Sequence, residues 1–160
     1  MLPMVHSLPF DEAWSYYHLR APYAAQTYDS VCEALGLSER SRILDLGCGI
    51  GTLAIPFARR LASVLAIDRN RLMLDEGCRR ADADGLTNIT WACMPAEEVT
   101  DTLGQVDGVV MGQSFHWMRR DLVLKQLAPM IREGGGIALI GPSLKVRTET
   151  TEALLNPILE

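Results

Sequence analysis

The sequence predicts a doubly wound α/β fold, a mostly parallel sheet with helices on both faces, and three observations carry that prediction. From about Ser41 onward, short apolar runs alternate with helical patterns, the signature of repeated βαβ units. The first run, Arg42-Ile43-Leu44-Asp45-Leu46, feeds straight into a glycine-rich turn and then a helix. The second run, Ser63-Val64-Leu65-Ala66-Ile67, ends on an acid, Asp68, and the unit then repeats.

Each element follows from local pattern. After the glycine turn, Leu53, Phe57 and Leu61 recur at helical spacing, and Pro56 falls near the first turn, where its missing N–H is tolerated. A helix capped near Asn70 runs through Leu74, Cys78 and Ala81 to Gly85. A third strand spans Ile89 to Cys93, a short acidic helix lies around Ala96 to Thr100, and a fourth strand spans about Val106 to Met111. A helix from about Asp121 places Val123, Leu127, Met130 and Ile131 on one face, with Gly134-Gly135-Gly136 as its stop. Ile137 to Ile140 is the fifth strand.

Residues 1–40 read as an N-terminal helical flap, with helix from Asp11 to Leu37 broken at Pro22 and rich in aromatics (Trp14, Tyr16, Tyr17, Tyr23, Tyr28). Residues 41–141 form the core, and residues 142–160 a polar tail with no further strand pattern.

Composition narrows the function classes. With 160 residues, 48% of them apolar and 22% charged, the chain can bury one sizeable core. Its net charge of −5, with basic residues dispersed in pairs such as Arg59-Arg60 and Arg79-Arg80, gives no stripe for a phosphate backbone, so no nucleic-acid partner is expected. Neither a leader pattern at Met1 to Phe10 nor a run of roughly 20 apolar residues is present, so the expectation is a cytoplasmic protein without a membrane partner. Cys32, Cys48, Cys78 and Cys93 are too dispersed for a zinc site or disulfide framework; each is read as a buried or half-buried thiol, and no metal is expected.

Candidate chemistry concentrates at Asp45-Leu46-Gly47-Cys48-Gly49-Ile50-Gly51. Its glycines let the backbone pass close beneath a ligand. Asp68, at the end of the second strand, is placed to accept hydrogen bonds from a ribose, which alone would admit a nicotinamide dinucleotide. A dinucleotide turn wants its third glycine at the sixth position, whereas here it stands at the fifth and the sixth is Thr52. Asp45, two residues ahead of the first glycine, suits an ammonium better than a pyrophosphate.

The segment Ile43 to Thr52 resembles the first motif of class I S-adenosylmethionine-dependent methyltransferases, which have a Rossmann-like sheet of strand order 3-2-1-4-5. By that resemblance the cofactor is S-adenosyl-L-methionine; Gly47, Gly49 and Gly51 support its methionine and ribose portion, Asp68 holds the ribose hydroxyls, and Arg69 and Asn70 lie near the ribose or adenine. Ile89 to Glu98 resembles the segment bordering adenine, with Met94-Pro95 where many members carry Gly-Asp; backbone groups of Ala96 and Glu97 then take the adenine contact and Met94 forms an apolar wall. Asp107 to Trp117 resembles the strand-four motif of the type 11 small-molecule subgroup, with its Gln-x-x-His-Trp sequence. That implies Gln113 and Ser114 facing the cofactor and His116 and Trp117 as the wall toward the acceptor, His116 being the candidate base. Tyr16 to Tyr23 looks like the family's entry segment, which puts Tyr17 and Arg20 at the methionine end.

The resemblance runs from about Tyr16 to Gly141. It leaves the closing C-terminal strand pair of the full fold missing, as in a truncated chain. The fifth strand is then an exposed edge that a homodimer or another chain would cover. Methyl transfer to a small-molecule acceptor ranks first, ahead of a cofactor-binding module without catalysis and of a nicotinamide-dependent oxidoreductase.

Overall fold

A computed structural model describes residues 22–141 and the backbone course of residues 144–147. Six strands form one sheet in the order β3-β2-β1-β4-β5-β6, the expected 3-2-1-4-5 order with one strand added. In chain order the elements are α1 (Ala25–Ala34), β1 (Arg42–Leu46), α2 (Ala54–Ala58), β2 (Ser63–Asp68), α3 (Arg71–Ala83), β3 (Ile89–Cys93), β4 (Val106–Gly112), α4 (Arg120–Leu127), β5 (Ile131–Ile140) and β6 (Leu144–Arg147). Single 3-10 turns stand at Ala96–Glu98, Asp101–Leu103 and Phe115–Trp117.

Strands β1 to β5 pair in parallel, which requires cover on both faces, and their apolar runs supply two cores. On one face Ile43, Val64, Ala66 and Val110 meet Tyr28, Val31 and Leu35 near α1, and Ala54 and Phe57 of α2. On the other, Leu44, Leu46, Ile67, Val109 and Met111 meet Val123 and Leu127 of α4 with Met130 and Ile131. Tyr28 packs edge-on against Phe57, ring centroids 5.3 Å apart. The expected cap of α3 is present: Asn70 Oδ1 accepts from the N–H groups of Leu72 and Met73 at 3.0 and 3.2 Å.

Several expectations are corrected. Helix α4 stops at Leu127, short of Met130 and Ile131. Pro129 explains the stop, because its ring excludes the helical carbonyl four residues back and disfavours helix at the preceding residue. Strand β5 accordingly starts at Ile131 and runs through Gly134-Gly135-Gly136, which end no helix. They lie where the β4 register shifts, and a Cβ on Gly135 would stand 2.5 Å from the Asp107 carbonyl oxygen, so only glycine fits the two backbones together.

The edge of β5 is not bare. Leu144–Arg147 pairs antiparallel with it, from Ile140↔Leu144 to Ile137↔Arg147, so the exposed-edge argument for an associating chain does not hold at β5. The alternation that marks β6, Leu and Val against Lys and Arg, lasts only four residues, too few to stand out in a polar stretch. Finally, Cys93 is exposed rather than half-buried, because it ends the edge strand β3.

Candidate functional site at the switch between strands β1 and β4

The chain turns from β1 toward β2 on one side and reaches β4 on the other, so the C-terminal ends of β1 and β4 splay. Ladder pairing between them ends at Asp45↔Val110, although β4 continues alongside β5 to Gly112↔Ile140. Crevices of this kind are where open α/β sheets take ligands. A cavity of about 390 Å³ opens there, within the usual size of small-molecule sites. The last residues of three strands, Leu46, Ile67-Asp68 and Gly112, form its floor together with Gly47 and Gly49.

The glycine turn is held from two sides. Gly47 and Cys48 donate their N–H groups to the Ile67 carbonyl at 2.8 and 3.0 Å. Asp68 accepts from the Gly49 N–H through Oδ2 and from the Asn70 N–H through Oδ1, both at 2.8 Å. Each carboxylate oxygen keeps a second acceptor site, and Asp68 borders the cavity. Gly47 takes φ +75°, and a Cβ there would lie 2.4 Å from Ser114 Cβ, so the turns after β1 and after β4 touch at this point.

The rest of the wall comes from three segments. Arg69, Asn70 and Met73 stand at the start of α3; Ala96 and Glu97 in the turn after β3; Gln113, Ser114, Trp117 and Met118 after β4. Glu97 Oε1 accepts from the Arg119 N–H at 2.9 Å, joining the last two. Gln113 holds φ +52°, the one non-glycine residue at positive φ among the described residues, a conformation that costs roughly 1–2 kcal/mol.

Ten sequence-predicted residues thus border the cavity: Gly47, Gly49, Asp68, Arg69, Asn70, Ala96, Glu97, Gln113, Ser114 and Trp117. Four others do not. Gly51 (φ +78°) lies against Trp91, where a Cβ would stand 2.7 Å from the ring. Met94 packs into the core on the α4 face. His116 is exposed, its ring 5.1 Å from that of Trp117. Trp117 itself is 70% exposed, so it is no core residue. Tyr17 and Arg20 lie outside the described residues.

Asp45 is the fourth, and it is 1% exposed beneath the glycine turn. Neither of its side-chain oxygens meets hydrogen-bond geometry with any group among the described residues. Burial pushes its carboxyl up to about 8; the backbone N–H of Ala54 opposes the rise, and the Asp68 charge adds to it. Asp45 lies beneath the turn and does not itself border the cavity. Sequence reasoning passed over Leu46, Ile67, Met73, Gly112 and Met118. The three strand-end residues follow from the rule that ligands sit at carboxyl ends of strands; the two methionines carry no sequence signal.

Comparison with known proteins decides the family. Residues 43–135 match the family described as a methyltransferase domain. The chain belongs to that family. With the strand order, this bears out the class I methyltransferase resemblance of the glycine turn. Among curated proteins it is similar to a ubiquinone biosynthesis O-methyltransferase of Acinetobacter baumannii (strain AYE), 34% identical over 98 residues, covering 60% of this chain and 41% of that protein. The methyltransferase domain spans less than half the length of the curated relatives it matches. Two solved structures share the fold: a SAM-dependent methyltransferase of Thiobacillus denitrificans in complex with S-adenosyl-L-homocysteine (TM-score 0.64, 24% identity, 82% of this chain and 55% of that one), and a precorrin 8W decarboxylase of Methanobacterium thermoautotrophicum (TM-score 0.64, 24% identity, 75% and 64%).

Proposed function

We propose that this methyltransferase domain binds S-adenosyl-L-methionine in the cavity between β1 and β4 and transfers its methyl group to a small-molecule acceptor. The observation that carries the reading is Asp68: it ends β2, is fixed by the N–H groups of Gly49 and Asn70, and retains free acceptor sites at the cavity edge. Those sites suit a vicinal diol, the ribose end of the cofactor. Ile67 and Met73 beside it offer apolar surface for adenine, with polar backbone of Ala96 and Glu97 at its edge. Gly47 and Gly49 present bare backbone at the cavity for the amino-acid end.

When bound, the cofactor supplies an electrophilic sulfonium methyl. The chain's own contribution is alignment and exclusion of water, which can account for a large share of such a barrier. Among the described cavity residues Asp68 and Glu97 carry the carboxylates, and both already accept backbone hydrogen bonds. Trp117, open at the cavity mouth, offers an aromatic face to the acceptor and to the methyl's partial positive charge.

Release of S-adenosylhomocysteine, followed over a panel of small phenols, carboxylates and amines with RNA and protein as comparison acceptors, tests the reading. Turnover confined to small molecules and abolished in Asp68→Ala supports it. Turnover on RNA or protein alone refutes the acceptor class. Binding without turnover on any acceptor favours the non-catalytic module, and affinity for NAD in place of S-adenosylhomocysteine favours the oxidoreductase.

A further inference from the structure

Opening a crevice in a parallel sheet orphans backbone groups. In β1, Gly47 turns toward β2, where its N–H bonds to Ile67, so the neighbouring Leu46 carbonyl faces β4. The β1–β4 ladder has ended one residue earlier, at Asp45↔Val110, and no strand group remains to satisfy that carbonyl. The Ser114 hydroxyl takes the place of the missing strand and donates to Leu46 O at 2.7 Å.

The same residue is fixed from its other side. Gln113 sends its backbone N–H to Ile140 O on β5 at 2.8 Å and takes a left-handed φ of +52°, which swings Ser114 back across the gap toward β1. The Ser114 carbonyl then accepts the Trp117 N–H at 3.0 Å, which starts the turn carrying Phe115 to Trp117. Ser114 Cβ fills the space above Gly47 that any other residue's Cβ would need.

We propose that Ser114 is a positioning residue: its hydroxyl latches the strap Gln113–Met118 onto the end of β1 and so sets where Trp117 stands over the cavity. It acts through the strap rather than by contact with a ligand. The hydroxyl's bond is spent on the backbone, the strain at Gln113 is the cost of reaching it, and the carbonyl of the same residue, Ser114, accepts the Trp117 N–H, so the latch and the turn that carries Trp117 meet at one residue. Without the hydroxyl the Leu46 carbonyl loses its partner at the crevice, the strap drifts, and Trp117 loses its fixed position.

The test uses the whole chain labelled with 5-fluorotryptophan, the Trp117 resonance being assigned with Trp117→Phe, in Ser114→Ala and in Val31→Ala. Val31 is fully buried on the opposite face, so its variant reports general destabilisation. In the ligand-free protein Ser114→Ala is expected to shift or broaden the Trp117 signal while that of Trp91 stays put. Affinity for S-adenosylhomocysteine is expected to fall by about tenfold, the scale of one buried hydrogen bond. Val31→Ala, with an equal or larger fall in melting temperature, is expected to change neither. An unmoved Trp117 signal in Ser114→Ala, or one moved equally by Val31→Ala, overturns the proposal. The affinity arm rests on the cofactor reading of the cavity. If the parent chain binds no S-adenosylhomocysteine that reading fails, and the ligand-free resonance still decides the latch.

Discussion

Gly47→Ala isolates the contact between the two ligand-side turns. Gly47 and Gly85 both hold left-handed backbone, at φ +75° and +69°, so alanine at either position bears the same conformational penalty of roughly 1–2 kcal/mol. Stiffening of the unfolded chain returns about 0.4–1 kcal/mol to both. They differ in their surroundings. Around Gly85 nothing lies within 4 Å of an added Cβ, whereas at Gly47 that Cβ meets Ser114 Cβ at 2.4 Å, Ser114 Oγ at 2.8 Å and Met118 Cε at 3.2 Å. The methionine tip can swing away; Ser114 Cβ cannot move without its backbone. Forced repacking of this kind costs about 1–3 kcal/mol beyond the shared penalty. At about 3–4 °C per kcal/mol for a chain of this size, Gly47→Ala should melt roughly 3–12 °C below Gly85→Ala. Differential scanning calorimetry of the two variants reads this difference directly. Equal melting temperatures would show that the turns after β1 and β4 do not touch as described, and the close walls of the cavity would go with that contact.

Asp45→Asn should flatten the dependence of stability on pH. The Asp45 carboxyl titrates near 8 when folded and near the ordinary 3.8 when unfolded, so between those values the native state holds a proton that the unfolded state has lost. Stability is full below about pH 4 and falls as pH rises toward 8, by at most about 1.4 kcal/mol per unit; denaturant titrations at several pH values showing parallel curves for both proteins would contradict the burial of this group. Gln113→Gly should relieve the left-handed strain and raise stability by up to about 1 kcal/mol while weakening S-adenosylhomocysteine binding; a loss of stability would mean that the side chain's contacts outweigh the strain. Asn70→Ala removes the side-chain acceptor at the start of α3, and urea unfolding should show a loss of about 1 kcal/mol.

The fold was legible wherever the chain obeyed one period at a time. Strands β1 to β4 are apolar runs bounded by turn residues, and the cap at Asn70 announces α3. The reading failed where tertiary contacts reassigned local signals. Gly134-Gly135-Gly136 looks like a helix stop but serves close backbone approach inside β5, and Met130 and Ile131 continue the helical spacing of α4 although Pro129 has already ended it.

At the site, glycine spacing and the strand-end acid were enough to find the cavity, because strand ends and the residues after them converge there in any sheet of this order. The direction of a side chain was not visible. Asp45 and Gly51 belong to the motif as firmly as Gly47, yet alternation along β1 turns Asp45 into the α1/α2 face, and the helix-packing demands of Trp91 claim Gly51. Ser114, expected to face a ligand, spends its hydroxyl on a carbonyl that only the splay of β1 from β4 leaves unpaired.

Calorimetric titration of the chain with S-adenosylhomocysteine, against NAD and alongside Asp68→Ala, tests the central claim most directly. The account predicts saturable binding of S-adenosylhomocysteine in the micromolar range, none of NAD, and loss of that binding in a variant that remains folded. A folded parent chain that takes up no S-adenosylhomocysteine, or an Asp68→Ala variant that binds it as well as the parent, would contradict it.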